Sequence, residues 1–71
     1  MTIDLNKLPK QFGERVRKER IRLGLSQEQL GFKTGLDRTY ISGIERGERN
    51  PSLKNIGKIY KALDLSLDNL G

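Results

Sequence analysis

Arg38, Thr39 and Ser42 are the residues through which this sequence can recognise another molecule. A guanidinium is a planar fork that donates two hydrogen bonds to guanine O6 and N7, and hydroxyls or a threonine methyl suit other base edges. Spacing matters as much as type. On a helix that starts after Asp37, these side chains and Arg46 take the outer faces, while Ile41 and Ile44, three apart, take the inner one. Arg38 is the expected main base contact. Thr39, Tyr40 and Ser42 complete the candidate base-reading set. Tyr40 lies at the flank and has three readings: a hydrogen bond to phosphate, stacking at a flexible base step, or packing against the first helix. For Thr39 and Ser42 the plain alternative is a solvated helix surface.

Such a helix needs others to hold it. Ser26 can cap a preceding helix, with Gln29 reaching back three residues later, so a helix is expected from there to about Thr34. Leu30 faces inward. Gly31 sacrifices about 1 kcal/mol of helix propensity against alanine, which points to close approach of another helix. Gly35 ends the segment, and Asp37 caps the next helix, roughly Arg38 to Arg46. Two helices joined by so short a turn form a helix-turn-helix over residues 26–46.

Upstream, Pro9 suits a first helical turn, and the stripe Phe12, Val16, Arg20, Leu23 runs along one face. A charge within an apolar row calls for a partner. Glu45 is the expected one, so that Arg20 and Glu45 form a structural ion pair between the first helix and the reading helix. The opposite face, with Lys10, Glu14, Arg17, Lys18 and Arg22, reads as a solvated surface. Downstream, Ser52 caps a fourth helix with the inward stripe Leu53, Ile56, Ile59, Tyr60 and Leu63, and Ser66 caps a short fifth turn, Leu67 to Leu70. No segment alternates with period two, so the expected fold is all-α, a compact five-helix bundle.

At 71 residues the chain has the length of one domain, 1–71, with residues 1–6 as a frayed lead-in. Its formal charge of +5 suggests an anionic partner. It contains no cysteine and no histidine, which removes thiolate metal sites and the commonest general base. Asp37, Glu45 and Glu48 have structural roles and no nucleophile has a plausible base, so no enzyme, catalytic residue, metal or cofactor is expected. No apolar run approaches the ~20 residues of a membrane span, and no signal peptide is evident. A soluble, cytoplasmic setting follows as the default.

Counted from Gln27, the small residue falls fifth, the turn glycine ninth, and Ile41 and Ile44 fifteenth and eighteenth. This spacing resembles the helix-turn-helix of the Cro and phage-repressor (XRE-type) family, with its lambda-repressor-like domain. The run LDRTYISGIERGERNPSL, Leu36 to Leu53, is similar to the controller proteins of bacterial restriction–modification systems. The resemblance implies a five-helix domain that dimerises through its C-terminal helices and binds a pseudo-palindromic double-stranded DNA operator. It implies activation at low concentration and repression at high, and activation implies a contact with RNA polymerase. It assigns phosphate contacts to Gln27, Arg46, Arg49 and Asn50.

The expected homodimer segment is 59–70, with Ile59, Leu63, Leu65, Leu67 and Leu70 at the interface. The alternative is that these leucines close the monomer's core. Because the chain stops after the fifth helix, either the dimer is weak or the sequence is a domain of a longer protein. The competing function is an antitoxin-type or phage-type repressor of the same fold that depends on a protein partner. RNA binding is disfavoured because there is no sheet on which to stack bases, and a membrane-surface helix because the first helix's apolar stripe is needed internally.

Overall fold

The computed structural model describes residues 4–66. Four helices run through them: α1 (Leu8–Arg22), α2 (Gln27–Thr34), α3 (Arg38–Glu45) and α4 (Leu53–Ala62). No strand occurs among the described residues. The expected fifth turn, with Leu67 and Leu70, lies outside them.

Local chemistry sets most helix boundaries. Pro9 sits in the first turn of α1. At α2 the Ser26 hydroxyl accepts from the Gln29 backbone N–H at 3.0 Å, and the Gln29 side-chain oxygen Oε1 accepts from the Ser26 N–H at 2.7 Å, so two free backbone donors are satisfied reciprocally. Gly35 ends α2 at φ 73°. The turn is knitted by Thr34, whose hydroxyl donates to Leu30 O at 2.9 Å and accepts from Leu36 N at 3.2 Å. Asp37 then accepts from Thr39 N at 2.8 Å and starts α3. Ser52 does the same for α4, accepting from Asn55 N at 3.2 Å.

Packing decides the rest. Val16, Leu30, Ile41, Ile44, Ile59, Tyr60 and Leu63 form the buried core, with Phe12 stacked on Tyr60 at a centroid distance of 6.0 Å. Two glycines let backbones touch. A Cβ on Gly31 would stand 2.8 Å from Leu36 O, so the short turn can fold back only over a bare Cα. A Cβ on Gly13 would lie 2.1 Å from Ile44 O, which makes Gly13 the point where α1 presses on the end of α3.

Three expectations need correcting. The expected dimer interface includes Ile59 and Leu63, yet both have 0% exposure and belong to the monomer's own core. They face inward because α4 has one strongly apolar stripe and this small core requires it. Leu53, placed on that stripe by its spacing, is 73% exposed because it opens the helix beyond the core's edge. Leu23 is also exposed, since α1 has already ended at Arg22.

Arg20 and Glu45 meet across α1 and α3. Arg20 Nε donates to Glu45 Oε2 at 2.6 Å and its Nη2 donates to Oε1 at 3.0 Å, a two-pronged contact. The third guanidinium nitrogen, Nη1, donates to Leu25 O at 2.7 Å, tying the α1–α2 connection to the same point. The side chains are only 12% and 3% exposed. Removing one charge from such a pair leaves the other buried and uncompensated, at about 3–5 kcal/mol. Glu45→Gln should therefore lower the thermal midpoint by well over about 10 °C, using the usual relation for a domain of this size. Circular dichroism melting at fixed salt checks this, and a midpoint unchanged within about 2 °C would contradict a pair whose breakage has that energetic consequence.

Candidate nucleic-acid interface

α3 has a buried side and a displayed side. Ile41, Gly43, Ile44 and Glu45 are buried, whereas Arg38, Thr39 and Arg46 are exposed and Ser42 is half-buried. Asp37 fixes where the helix begins and so fixes the direction in which Arg38 and Thr39 leave it. Gln27, from the first turn of α2, comes alongside. A shallow depression is lined by Gln27, Arg38, Thr39, Ser42 and Arg46, which brings side chains eleven and more positions apart in the chain onto one surface.

Gln27 is oriented from behind. Its Nε2 donates to Glu45 Oε1 at 3.2 Å, so the carboxylate that holds Arg20 also anchors this amide. Only part of the amide's hydrogen-bonding capacity is consumed, because the group offers a second N–H and an oxygen with two lone pairs. Glu45 thus links α1, α2 and α3 at the base of the displayed surface.

Arg46 leaves the C-terminal end of α3, where one guanidinium nitrogen donates to the Ser42 hydroxyl and the other to Glu48 Oε1 at 3.1 Å. The hydrogen bond from Arg46, and then its charge, hold the Glu48 carboxyl below the usual carboxylate range, while the same contacts raise Arg46. Both groups are solvent-exposed, so this tie adds little to stability. Its importance lies in occupying a cation at the rim of the displayed surface.

Tyr40 is half-buried on the flank of α3. Its hydroxyl accepts from Asn55 Nδ2 at 3.2 Å, and the Arg49 guanidinium lies 5.9 Å from the ring centroid. The side chain is thus engaged by α4 at its hydroxyl and by the α3–α4 loop at its ring, and it packs against the core. Arg49 and Asn50 are exposed on that loop, beside but not within the depression.

Some contributors are absent from the sequence reading. Glu48 reads only as loop, yet it pairs with Arg46. Asn55 carries no sign of a tertiary role in the sequence, yet its side chain turns to Tyr40. The Gln27 contact with Glu45 spans eighteen positions, and no local pattern encodes it. A glycine inside a helix at Gly13 was the one available sign of the closest approach to α3.

The helix-turn-helix family model matches residues 16–70 of the chain. Control protein C.BamHI of Bacillus amyloliquefaciens is 53% identical over 60 residues, covering 83% of this chain and 74% of the relative. The crystal structure of the restriction–modification controller protein C.AhdI from Aeromonas hydrophila superposes with a TM-score of 0.84 at 51% identity, covering 89% of this chain and 96% of that one. The C.Esp1396I controller tetramer, in complex with its natural 35 base-pair operator, gives 0.82 at 41% identity, covering 89% and 83%. With its capped α2 and α3, its short intervening turn and these relatives, the chain belongs to the helix-turn-helix family that includes the restriction–modification controller proteins.

Proposed function

We propose that this chain is a controller-type transcriptional regulator that binds a pseudo-palindromic double-stranded DNA operator as a homodimer, acting as activator and repressor. One observation carries the reading: Gln27, Arg38, Thr39, Ser42 and Arg46 converge on one polar surface whose central element is a helix anchored from behind. The relative C.Esp1396I in complex with its operator supports it. The identity to control proteins favours a controller over a partner-dependent antitoxin.

In this reading α3 lies in the major groove with its N-terminal end foremost. Arg38 makes the principal base contact, and Thr39 and Ser42 discriminate at neighbouring bases. Gln27 and Arg46 hold phosphates on either side, with Arg49 and Asn50 extending the grip along the backbone, and activation draws on a contact with RNA polymerase. Two copies related by a two-fold axis meet half-sites about one helical turn, roughly 34 Å, apart. Selection of bound sequences from a random duplex pool tests this directly. A two-fold symmetric consensus is the anticipated result, and a pool that converges on no sequence would falsify the reading.

Base and phosphate contacts should separate under mutation. Arg38→Ala should lower affinity for the selected operator by about 5–150-fold, the equivalent of ~1–3 kcal/mol, and leave a scrambled duplex almost unaffected. Arg46→Ala should weaken both duplexes by the same factor and flatten the salt dependence by about one phosphate contact. Fluorescence anisotropy titrations at several salt concentrations measure both, and identical loss of preference in the two variants would sink the division of roles.

Glu48 competes with phosphate for Arg46. Glu48→Gln should tighten binding to both duplexes by up to about fivefold. The depressed carboxyl keeps the pair intact above the ordinary carboxylate pKa, and the pair is lost only as pH falls through the lowered folded value. With no histidine in the chain, operator affinity at constant salt should be flat between about pH 6 and 8. Looser binding by the Gln variant, or a tenfold slope across that window, would show that Glu48 does not act as a competitor for Arg46.

A further inference from the structure

Tyr40 is held by two residues that belong neither to α3 nor to the depression. Asn55, in the first turn of α4, donates its side-chain N–H to the tyrosine hydroxyl at 3.2 Å. Arg49, on the loop between the helices, sets its guanidinium over the ring. Its aliphatic stem crosses Gly43, where a Cβ would come within 2.9 Å of Arg49 Cγ. Positions 40 and 43 share one side of α3, so the missing side chain at 43 leaves the space in which Arg49 reaches Tyr40. The ring is restrained on one side by a cation and at its tip by an amide.

The polarity of the tip contact matters. A phenol has one proton to donate and accepts through its oxygen lone pairs. The Asn55 N–H can engage only the oxygen, which leaves the Tyr40 proton unused by this contact. Among the described residues no acceptor takes that proton, and the side chain is only half-buried. A donor held this way, next to a cation and beside the α3 surface, suits a lone pair arriving from outside.

We propose that Asn55 is a positioning residue: by donating to Tyr40 it fixes the ring and turns the phenolic proton outward, to an acceptor on duplex DNA. The acceptor is a phosphate oxygen or a base-edge atom, which offer the same lone pair. The inference rests on the regulator reading and extends it to a residue on α4 outside the helix-turn-helix.

The decisive substitution is Asn55→Asp, which replaces the donor with a group that only accepts and draws the Tyr40 proton inward. Aspartate at the third position of α4 suits the positive end of the helix, so the variant should fold, and a melting curve verifies that it does. Its added charge weakens binding to any duplex. For that reason the measurement is a cycle of wild type, Asn55→Asp, Tyr40→Phe and the double variant, titrated against the selected operator and a scrambled duplex.

Tyr40→Phe should weaken operator binding about fivefold, the size of one neutral hydrogen bond. Asn55→Asp should lose about fivefold more in the tyrosine background than in the phenylalanine background, because only the former has a proton to redirect. If the loss occurs on both duplexes the acceptor is phosphate, and if only on the operator it is a base edge. Equal losses from Asn55→Asp in both backgrounds, or wild-type affinity for Tyr40→Phe, would overturn the proposal.

In the free protein, Tyr40→Phe should also shift the Asn55 side-chain amide resonances, and unmoved resonances would refute the contact itself. A wild-type chain with no preference for any duplex would refute the regulator reading alone, and one that binds no duplex would refute the outward donation as well, while the resonances would still report whether Asn55 holds Tyr40.

Discussion

One buried carboxylate fixes the working geometry. Glu45 accepts from Arg20 on α1 and Gln27 on α2 while belonging to α3, so three helices meet at a single side chain. Apolar packing alone would set α3 at roughly the right distance but would tolerate rotation about its axis, since Ile41 and Ile44 can slide in a core of similar side chains. A two-pronged guanidinium contact has direction, and direction is what a reading helix needs. A few degrees of rotation would redirect Arg38 and Ser42 on the displayed surface. Gly13 adds the complementary constraint, because its bare Cα lets the α1 backbone approach Ile44 O and so fixes the depth of α3 while the ion pair fixes its turn.

Charge alone does not locate the interface. The chain carries a formal charge of +5, but its cations are widely dispersed. Lys33, Lys58 and Lys61 line a separate depression between α2 and α4, which has three positive groups against the two of the α3 depression, Arg38 and Arg46, but fewer directional hydrogen-bonding side chains. The α3 surface differs in kind. It combines guanidinium, hydroxyl and amide groups on elements whose starts are fixed by Ser26 and Asp37. Diffuse positive charge draws a polyanion closer from any direction, whereas preorganised donors distinguish one sequence from another.

What could be read from the sequence follows from interaction range. The caps at Ser26, Asp37 and Ser52 involve residues two or three positions apart, so residue types alone reveal them. The Arg20–Glu45 pair spans twenty-five positions and was still legible, because a charge in an apolar stripe announces a missing partner. Gln27 and Asn55 gave no such sign. Both are polar residues at helix starts with a sufficient local explanation, and only tertiary approach reveals that their side chains serve Glu45 and Tyr40. The apolar positions of α4 were ambiguous for another reason: spacing identifies a face, but does not say whether that face meets its own core or a second copy.

That ambiguity resolves through the size of the core. Among the described residues seven apolar side chains are fully or almost fully buried, and three of them, Ile59, Tyr60 and Leu63, come from α4 or its C-terminal edge. A domain this small buries a modest fraction of its surface, so withdrawing three side chains from the centre to face a partner would remove a large share of the apolar contact that keeps α2 and α4 together. In the proposed two-fold assembly these three side chains are therefore already committed to the domain's own core. Leu53 stands exposed at one end and Leu65 is half-buried beyond the other, so the helix can stabilise its own domain with one face and still present leucines at its ends. In the proposed dimer such contacts would add to the core instead of competing with it, and α3 keeps the support of Arg20 and Gln27 on Glu45.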